Sequence, residues 1–327
     1  MSAPFSNREQ SLDLSIVIPC YNEEAGIPEL LRRVAAAVAQ AGIVSYEIVL
    51  IDDGSTDRTW PLIETATKNS PHVIGVALTK NHGHQLALSA GLATARGARV
   101  LVLDADLQDP PELLGPMMAV MDQGADVVYG QRLARKGETA LKRLTAHWFY
   151  RVLDRVTDVQ IPVDTGDFRL MSRRVVDILN TMPESQRFVR GLVSWIGLKQ
   201  VPFPYQRDER FAGETKYPFR KMLQLAIDAI TGFSTQPLRV ASYFGVLFGL
   251  VGLLCLFYVL FSWLFAKSVR GWTSLITVVL LLGSAQLLVL GMIGEYLGRL
   301  YIESKRRPIY LIREVVRGAA TEGKPIA

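Results

Sequence analysis

Two stretches near the C-terminus, Val240 to Phe265 and Thr273 to Ile293, run almost without a polar side chain. Each exceeds the ~20 residues that an α-helix needs to cross ~30 Å of hydrocarbon. The loop between them, Ala266 to Gly271, is too short to hold structure of its own, so the two spans form a helical hairpin. A buried core hairpin is the alternative, and two such spans in succession weigh against it. Mean hydropathy is +0.20, which is high for a soluble chain and has the same source. Lys267 and Arg270 lie in the loop, while the flanks are more basic: Arg207, Arg210, Lys216, Arg220, Lys221 and Arg239 before the hairpin, Arg299, Lys305, Arg306, Arg307, Arg313 and Arg317 after it. By the positive-inside rule both termini are cytoplasmic, on a cell inner-membrane protein with two spans. Met1 to Asp13 is polar and lacks the apolar core of a secretory signal. Glycines 245, 249 and 252 permit close helix packing, which suggests a homo-oligomer.

The first half follows a different rule. Leu14 to Pro19, Glu47 to Ile51, Val73 to Leu78, Arg99 to Leu103 and Asp126 to Tyr129 are short apolar runs separated by helical patterns. Strands alternating with helices of ten or more residues predict βαβ units and an α/β domain with a mostly parallel sheet. In such sheets ligands bind beyond the carboxyl ends of the strands. Three of these ends carry acids: Glu23; Asp52 with Asp53; and Asp104 with Asp106. A lone Asp-Ala-Asp can be a helix cap or a metal clamp. Ser55 and Asp57 are expected to cap the helix that follows them. Capping does not account for acids at three strand ends, and Asp104, Asp106 and Gln108 form a hard oxygen set suited to Mg²⁺ or Mn²⁺.

The charge balance, 36 basic against 31 acidic residues, is too mild and too dispersed to indicate nucleic acid. The two cysteines, Cys20 and Cys255, lie in environments that should not meet, and read as buried free thiols. Between Gly137 and Val159, and again from Phe219 to Phe233, apolar residues recur at helical spacing among basic ones. Such helices can lie in the membrane interface or pack on the domain core. Glu295 and Arg299, at i and i+4, are spaced for an ion pair.

Taken together, Val17-Ile-Pro-Cys-Tyr-Asn-Glu23, Asp52-Asp-Gly-Ser-Thr-Asp57, Asn81-His-Gly83 and Asp104-Ala-Asp106 resemble the family-2 inverting glycosyltransferases of GT-A (Rossmann-like) fold. Asp164-Thr-Gly-Asp-Phe-Arg-Leu170, Arg210-Phe-Ala-Gly-Glu-Thr-Lys-Tyr217 and the hairpin are similar to the polyprenyl-phosphate glycosyltransferases, relatives of dolichol-phosphate mannose synthase that include the undecaprenyl-phosphate glucosyltransferases. The resemblance implies a cytoplasmic catalytic domain over 1–217, a juxtamembrane amphipathic helix over 218–236, two transmembrane helices over 237–298 and a basic cytoplasmic tail over 299–327. It also implies a UDP-sugar donor, a polyprenyl phosphate acceptor and a divalent metal. On that likeness Pro19, Tyr21, Glu23 and Asp52 surround the nucleotide base and ribose, and Asp104, Asp106 and Gln108 hold the metal. Arg132, placed after the fifth strand, contacts phosphates with Arg210 and Lys216. Asp167 lies near the acceptor.

The chemistry agrees. A departing diphosphate needs cationic stabilisation, whereas a lipid phosphate is already anionic near pH 7 and has little need of a strong base. Asp167 therefore orients acceptor or sugar, or else pairs structurally with Arg169 or Arg173. Glucose is the favoured sugar; N-acetylhexosamine, mannose and modified arabinose share the framework. A processive polysaccharide synthase would carry a Trp where Gln186-Arg-Phe-Val-Arg-Gly191 has glycine, and a membrane scaffold would have no need of the paired acids.

Overall fold

The computed structural model describes residues 12–133, 165–185, 187–207, 236–265 and 272–318. The near-continuous apolar runs become its central strands. β1 (Leu14–Cys20) lies between β2 (Tyr46–Asp52) and β4 (Arg99–Val102), and β3 (Val73–Leu78) follows β2, all parallel. Every residue of β1 and β3 is buried, as a strand covered on both faces requires. Crossovers are made by α1 (Ile27–Gln40), α2 (Thr59–Asn69) and α3 (His84–Thr94). α1 turns Ile27, Leu30, Val34, Ala37 and Val38 inward at helical spacing. α3 is buried from Ala87 through Leu92. Its Gly91 is required by contact: a Cβ there would meet Val17 Cγ1 at 2.4 Å and Ile51 Cδ1 at 2.6 Å.

Beyond β4 the sheet becomes mixed. β6 (Thr165–Ser172) runs antiparallel between β4 and β5 (Val127–Arg132), and β7 (Gln200–Tyr205) pairs parallel to β5. The order is β7-β5-β6-β4-β1-β2-β3-β8, where β8 is Ile312–Arg317. α4 (Leu114–Met121), α5 (Arg173–Thr181) and α6 (Val189–Ile196) complete this unit. At the amino ends of the strands, buried Glu47 accepts from Ser15 Oγ at 2.6 Å and from Arg96 Nη2 at 2.8 Å. This acid is structural.

Two expectations are corrected here. The fifth strand does not end at Tyr129; pairing with β7 carries it to Arg132, opposite Tyr205, so Arg132 is a strand residue and not a loop residue. The segment after the hairpin is not simply a tail. Ile312 to Arg317 mixes branched apolar with charged residues and pairs antiparallel with β3, a short charged strand of the kind that closes a sheet edge.

The second unit contains α7 (Gln236–Phe265) and α8 (Trp272–Ser304), helices of 30 and 33 residues. Leu250, Phe257, Leu287 and Leu297 are exposed on them. Among the described residues, Leu281–Ser304 is long and apolar enough to cross a membrane, and Tyr243–Leu254 is a shorter apolar stretch. The expected pair forms on α8, with Arg299 Nε donating to Glu295 Oε1 at 3.0 Å. The amphipathic segments 137–159 and 219–233, and with them Arg210 and Lys216, lie outside the described residues.

Candidate active site

The loops after β1 and β2 are laced together. Asn22, at φ 54°, receives Thr56 N–H on its side-chain oxygen at 2.8 Å and donates its own N–H to Ser55 Oγ at 3.0 Å. Glu23 N–H reaches Thr59 Oγ1 at 2.8 Å. Ser55 thus braces the neighbouring loop and does not cap α2; Asp57 accepts Thr59 N–H at 2.9 Å. This lacing sets the expected nucleotide residues around the carboxyl ends of β1 and β2. Pro19 is buried in β1 opposite Ile51. Tyr21 is exposed, Glu23 is half-buried, and Asp52 is buried with its Oδ1 accepting Ser55 N–H at 3.2 Å.

Asp53 has a different task. Its two oxygens accept the N–H groups of His82 and Gly83 at 2.7 and 2.9 Å, fixing the Asn81-His-Gly loop to the β2 end. Burial pushes its carboxyl up, and these two bonds hold it back. Gly54 makes the approach possible. It sits at φ +67°, and a Cβ there would lie 2.5 Å from the Lys80 carbonyl carbon.

β4 ends at Val102, and Asp104 and Asp106 follow on irregular backbone that includes Leu107 at φ 59°. Asp106 Oδ1 accepts Gln108 N–H at 3.2 Å, which draws Gln108 into the same turn. Asp104 Oδ1 is buried with no hydrogen-bond partner among the described residues, and His84 Nε2 stands 3.5 Å away. Burial raises the Asp104 pKa to about 6, opposed by His84 and reinforced by Asp167, Asp109 and Asp106. A buried carboxylate oxygen without a partner is costly. This orphaned atom, in a loop that also carries Asp106 and Gln108, fits a hard divalent cation.

Asp167 projects from β6 into a cage of donors. Its Oδ2 accepts from Gln85 Nε2 at 2.8 Å and His84 Nε2 at 3.2 Å, and its Oδ1 from Arg190 Nε at 3.1 Å. Of the two partners expected from sequence, Arg169 is 4.0 Å away, whereas Arg173 pairs with Asp177 at 3.5 Å. Burial alone would raise the Asp167 pKa; the His84 bond and the Arg190 guanidinium outweigh it and hold the carboxyl well below its usual range. For His84, burial opposes the charge, yet the bond to Asp167 and the Asp104 carboxylate prevail and bring its pKa to about 9. His84 thereby joins the metal-type acids to Asp167.

A second cluster lies alongside. Asp109 is fully buried and accepts the Tyr205 hydroxyl; Arg207 Nε donates to it at 3.3 Å, and Arg132 Nη2 stands 4.0 Å off. Arg132 lies end-on against Gly166, where a Cβ would fall 2.4 Å from its Nη2. Sequence reasoning missed Gln85, Asp109, Arg190 and Tyr205 as members of the site. Asp109 carried one signal, its place in the Asp104 loop; the others come from α3, α6 and β7, whose approach no local pattern announces.

Residues 15–179 match the Glycosyl transferase family 2 model, and residues 236–300 match that of the GtrB C-terminal hairpin. Acids at the carboxyl edge of a mixed α/β sheet, followed by a membrane hairpin, define a membrane-associated glycosyltransferase. The chain belongs to glycosyl transferase family 2. It is 48% identical over 304 residues to the uncharacterized glycosyltransferase YkcC of Bacillus subtilis strain 168, covering 93% of this chain and 94% of that one. To the prophage bactoprenol glucosyl transferase homolog of Escherichia coli K12 it is 39% identical over 305 residues, covering 93% and 99%. To the bactoprenol glucosyl transferase of Shigella phage SfV it is 40% identical over 303 residues, covering 92% and 98%.

Proposed function

We propose that the protein transfers a hexose, glucose from UDP-glucose, to the phosphate of a polyprenyl phosphate at the cytoplasmic membrane face, inverting the anomeric centre. The observation that carries this reading is the orphaned oxygen of Asp104, in the loop that also carries Asp106 and Gln108, at the strand ends where Glu23 and Asp52 also lie. The acceptor and sugar are taken from relatives named bactoprenol glucosyl transferase, which align along nearly their whole length.

Tyr21, Glu23 and Asp52 hold base and ribose. Mg²⁺ or Mn²⁺ on Asp104, Asp106 and Gln108 would neutralise charge developing on the departing diphosphate. Arg132, with Arg210 and Lys216, supports the same phosphates. An acceptor phosphate oxygen forms the new bond to the anomeric carbon as the bond to UDP breaks, and UDP leaves with the electron pair. Asp167, held anionic by its donors, is a weak base and serves to orient the reactants, which suits an acceptor that arrives ionised. The hairpin keeps the enzyme at the membrane where its acceptor resides.

The test is UDP release by detergent-purified protein with Mg²⁺ or Mn²⁺. Turnover should appear only when undecaprenyl phosphate is added, and Asp106→Asn should lower it by about 10²-fold or more. Wild-type rates in that variant would remove the assigned role of the acid pair.

A further inference from the structure

Arg207 stands between two acids with unequal grips on it. Its Nε donates to Asp109 Oδ1 at 3.3 Å, while its Nη2 faces Asp106 Oδ2 at 3.7 Å, a charge contact beyond hydrogen-bond length. The Asp109 side is the firm one: that carboxylate is fully buried and further fixed by Tyr205. Arg207 itself is only 15% exposed. The guanidinium is therefore anchored on Asp109 and rests more loosely against Asp106.

We propose that Arg207 is a resident cation of the acid loop, countering Asp106 when no divalent ion is present and turning to the nucleotide diphosphate when metal and nucleotide enter together. This rests on the reading that Asp104 and Asp106 hold the metal. A dication at Asp106 would meet a fixed positive charge a few ångströms away in a site of reduced dielectric, so Arg207 opposes binding of the ion alone. A diphosphate reverses the sign. Its negative charges are shared between the ion and the guanidinium, and Arg207 can turn toward them while keeping its Asp109 bond. Metal and nucleotide then each strengthen binding of the other, and by linkage to the same degree.

The experiment is Mn²⁺ binding to the full-length protein in detergent, read from the spin-resonance signal of free Mn²⁺, with and without UDP. In the wild type, UDP should tighten Mn²⁺ by roughly tenfold. Arg207→Gln should bind Mn²⁺ alone several-fold tighter than wild type and lose most of the enhancement by UDP. Arg207→Lys keeps the charge but not the two-point grip, so it should bind Mn²⁺ alone as weakly as the wild type while giving up part of the enhancement by UDP. Unchanged or weaker Mn²⁺ binding by Arg207→Gln without UDP, in protein whose melting matches the wild type, overturns the proposal. So does Mn²⁺ binding alone by Arg207→Lys as tight as that of Arg207→Gln. Failure of the wild type to bind Mn²⁺ even with UDP is a different result: it removes the metal reading itself, and this inference with it.

Discussion

Asp167 is buried on β6, with Gln85 and His84 on one carboxylate oxygen and Arg190 on the other. Its folded-state pKa lies below the unfolded value of about 3.9, so its stabilisation is complete above that value. It is lost as the pH falls toward the folded pKa, because the unfolded chain then takes up the proton first. Asp167→Asn should therefore cost roughly 3–5 kcal/mol near neutrality, the range for breaking a buried ion pair. Unfolding measured from pH 7 downward should show the gap to wild type closing below about pH 4. A gap that stays constant to pH 3 would place the stabilisation elsewhere. Asp104, Asp106, Asp52 and Glu23 were legible in the sequence because each ends an apolar run, and the ends of parallel strands converge. The cage around Asp167 was not. Gln85 and Arg190 lie 82 and 23 residues from it, and their meeting depends on how α3 and α6 pack.

At the scale of elements, the strand–helix rhythm was readable wherever apolar runs were bounded by turn residues, as in β1 to β4. β6 escaped notice because Thr165-Gly-Asp-Phe-Arg169 mixes charge with apolar residues, and only burial between β4 and β5 makes it a strand. The loops at the site are stiff through specific bonds, and Gly54 is their narrowest point. Gly54→Ala should push the Asn81-His-Gly loop away from Asp53 and cost about 1–3 kcal/mol. Thermal melting and UDP titration of the variant should both weaken; wild-type values in both would mean the loop absorbs the added carbon freely. β8 offers a second test at this scale. It covers the edge of β3, so truncation before Ile312 should lower the melting temperature by several degrees and promote aggregation through the bared strand. Light scattering and melting of the truncated protein unchanged from the full chain would show that the edge needs no cover.

For the whole molecule, chain order matters as much as composition. The hairpin lies between the body of the sheet and its last strand, so removing everything from Gln236 onward would also remove β8. A catalytic unit freed from the membrane requires residues 308–318 to be kept and joined back. The apolar spans and their basic flanks were the plainest feature of the sequence, since hydropathy alone reports them. The strand beyond them was hidden by its charges, which read as a tail. The proposed reaction takes a sugar from a nucleotide at the sheet edge and leaves it on a membrane lipid. The direct measurement is mass spectrometry of the lipid fraction after the purified protein is given UDP-glucose, Mg²⁺ and undecaprenyl phosphate, with UDP-N-acetylglucosamine and GDP-mannose in parallel. The expected product is a lipid heavier by one hexose, formed with UDP-glucose and sensitive to alkaline phosphatase only after the sugar is removed. An unchanged lipid with every donor, from protein that still binds UDP, would contradict it.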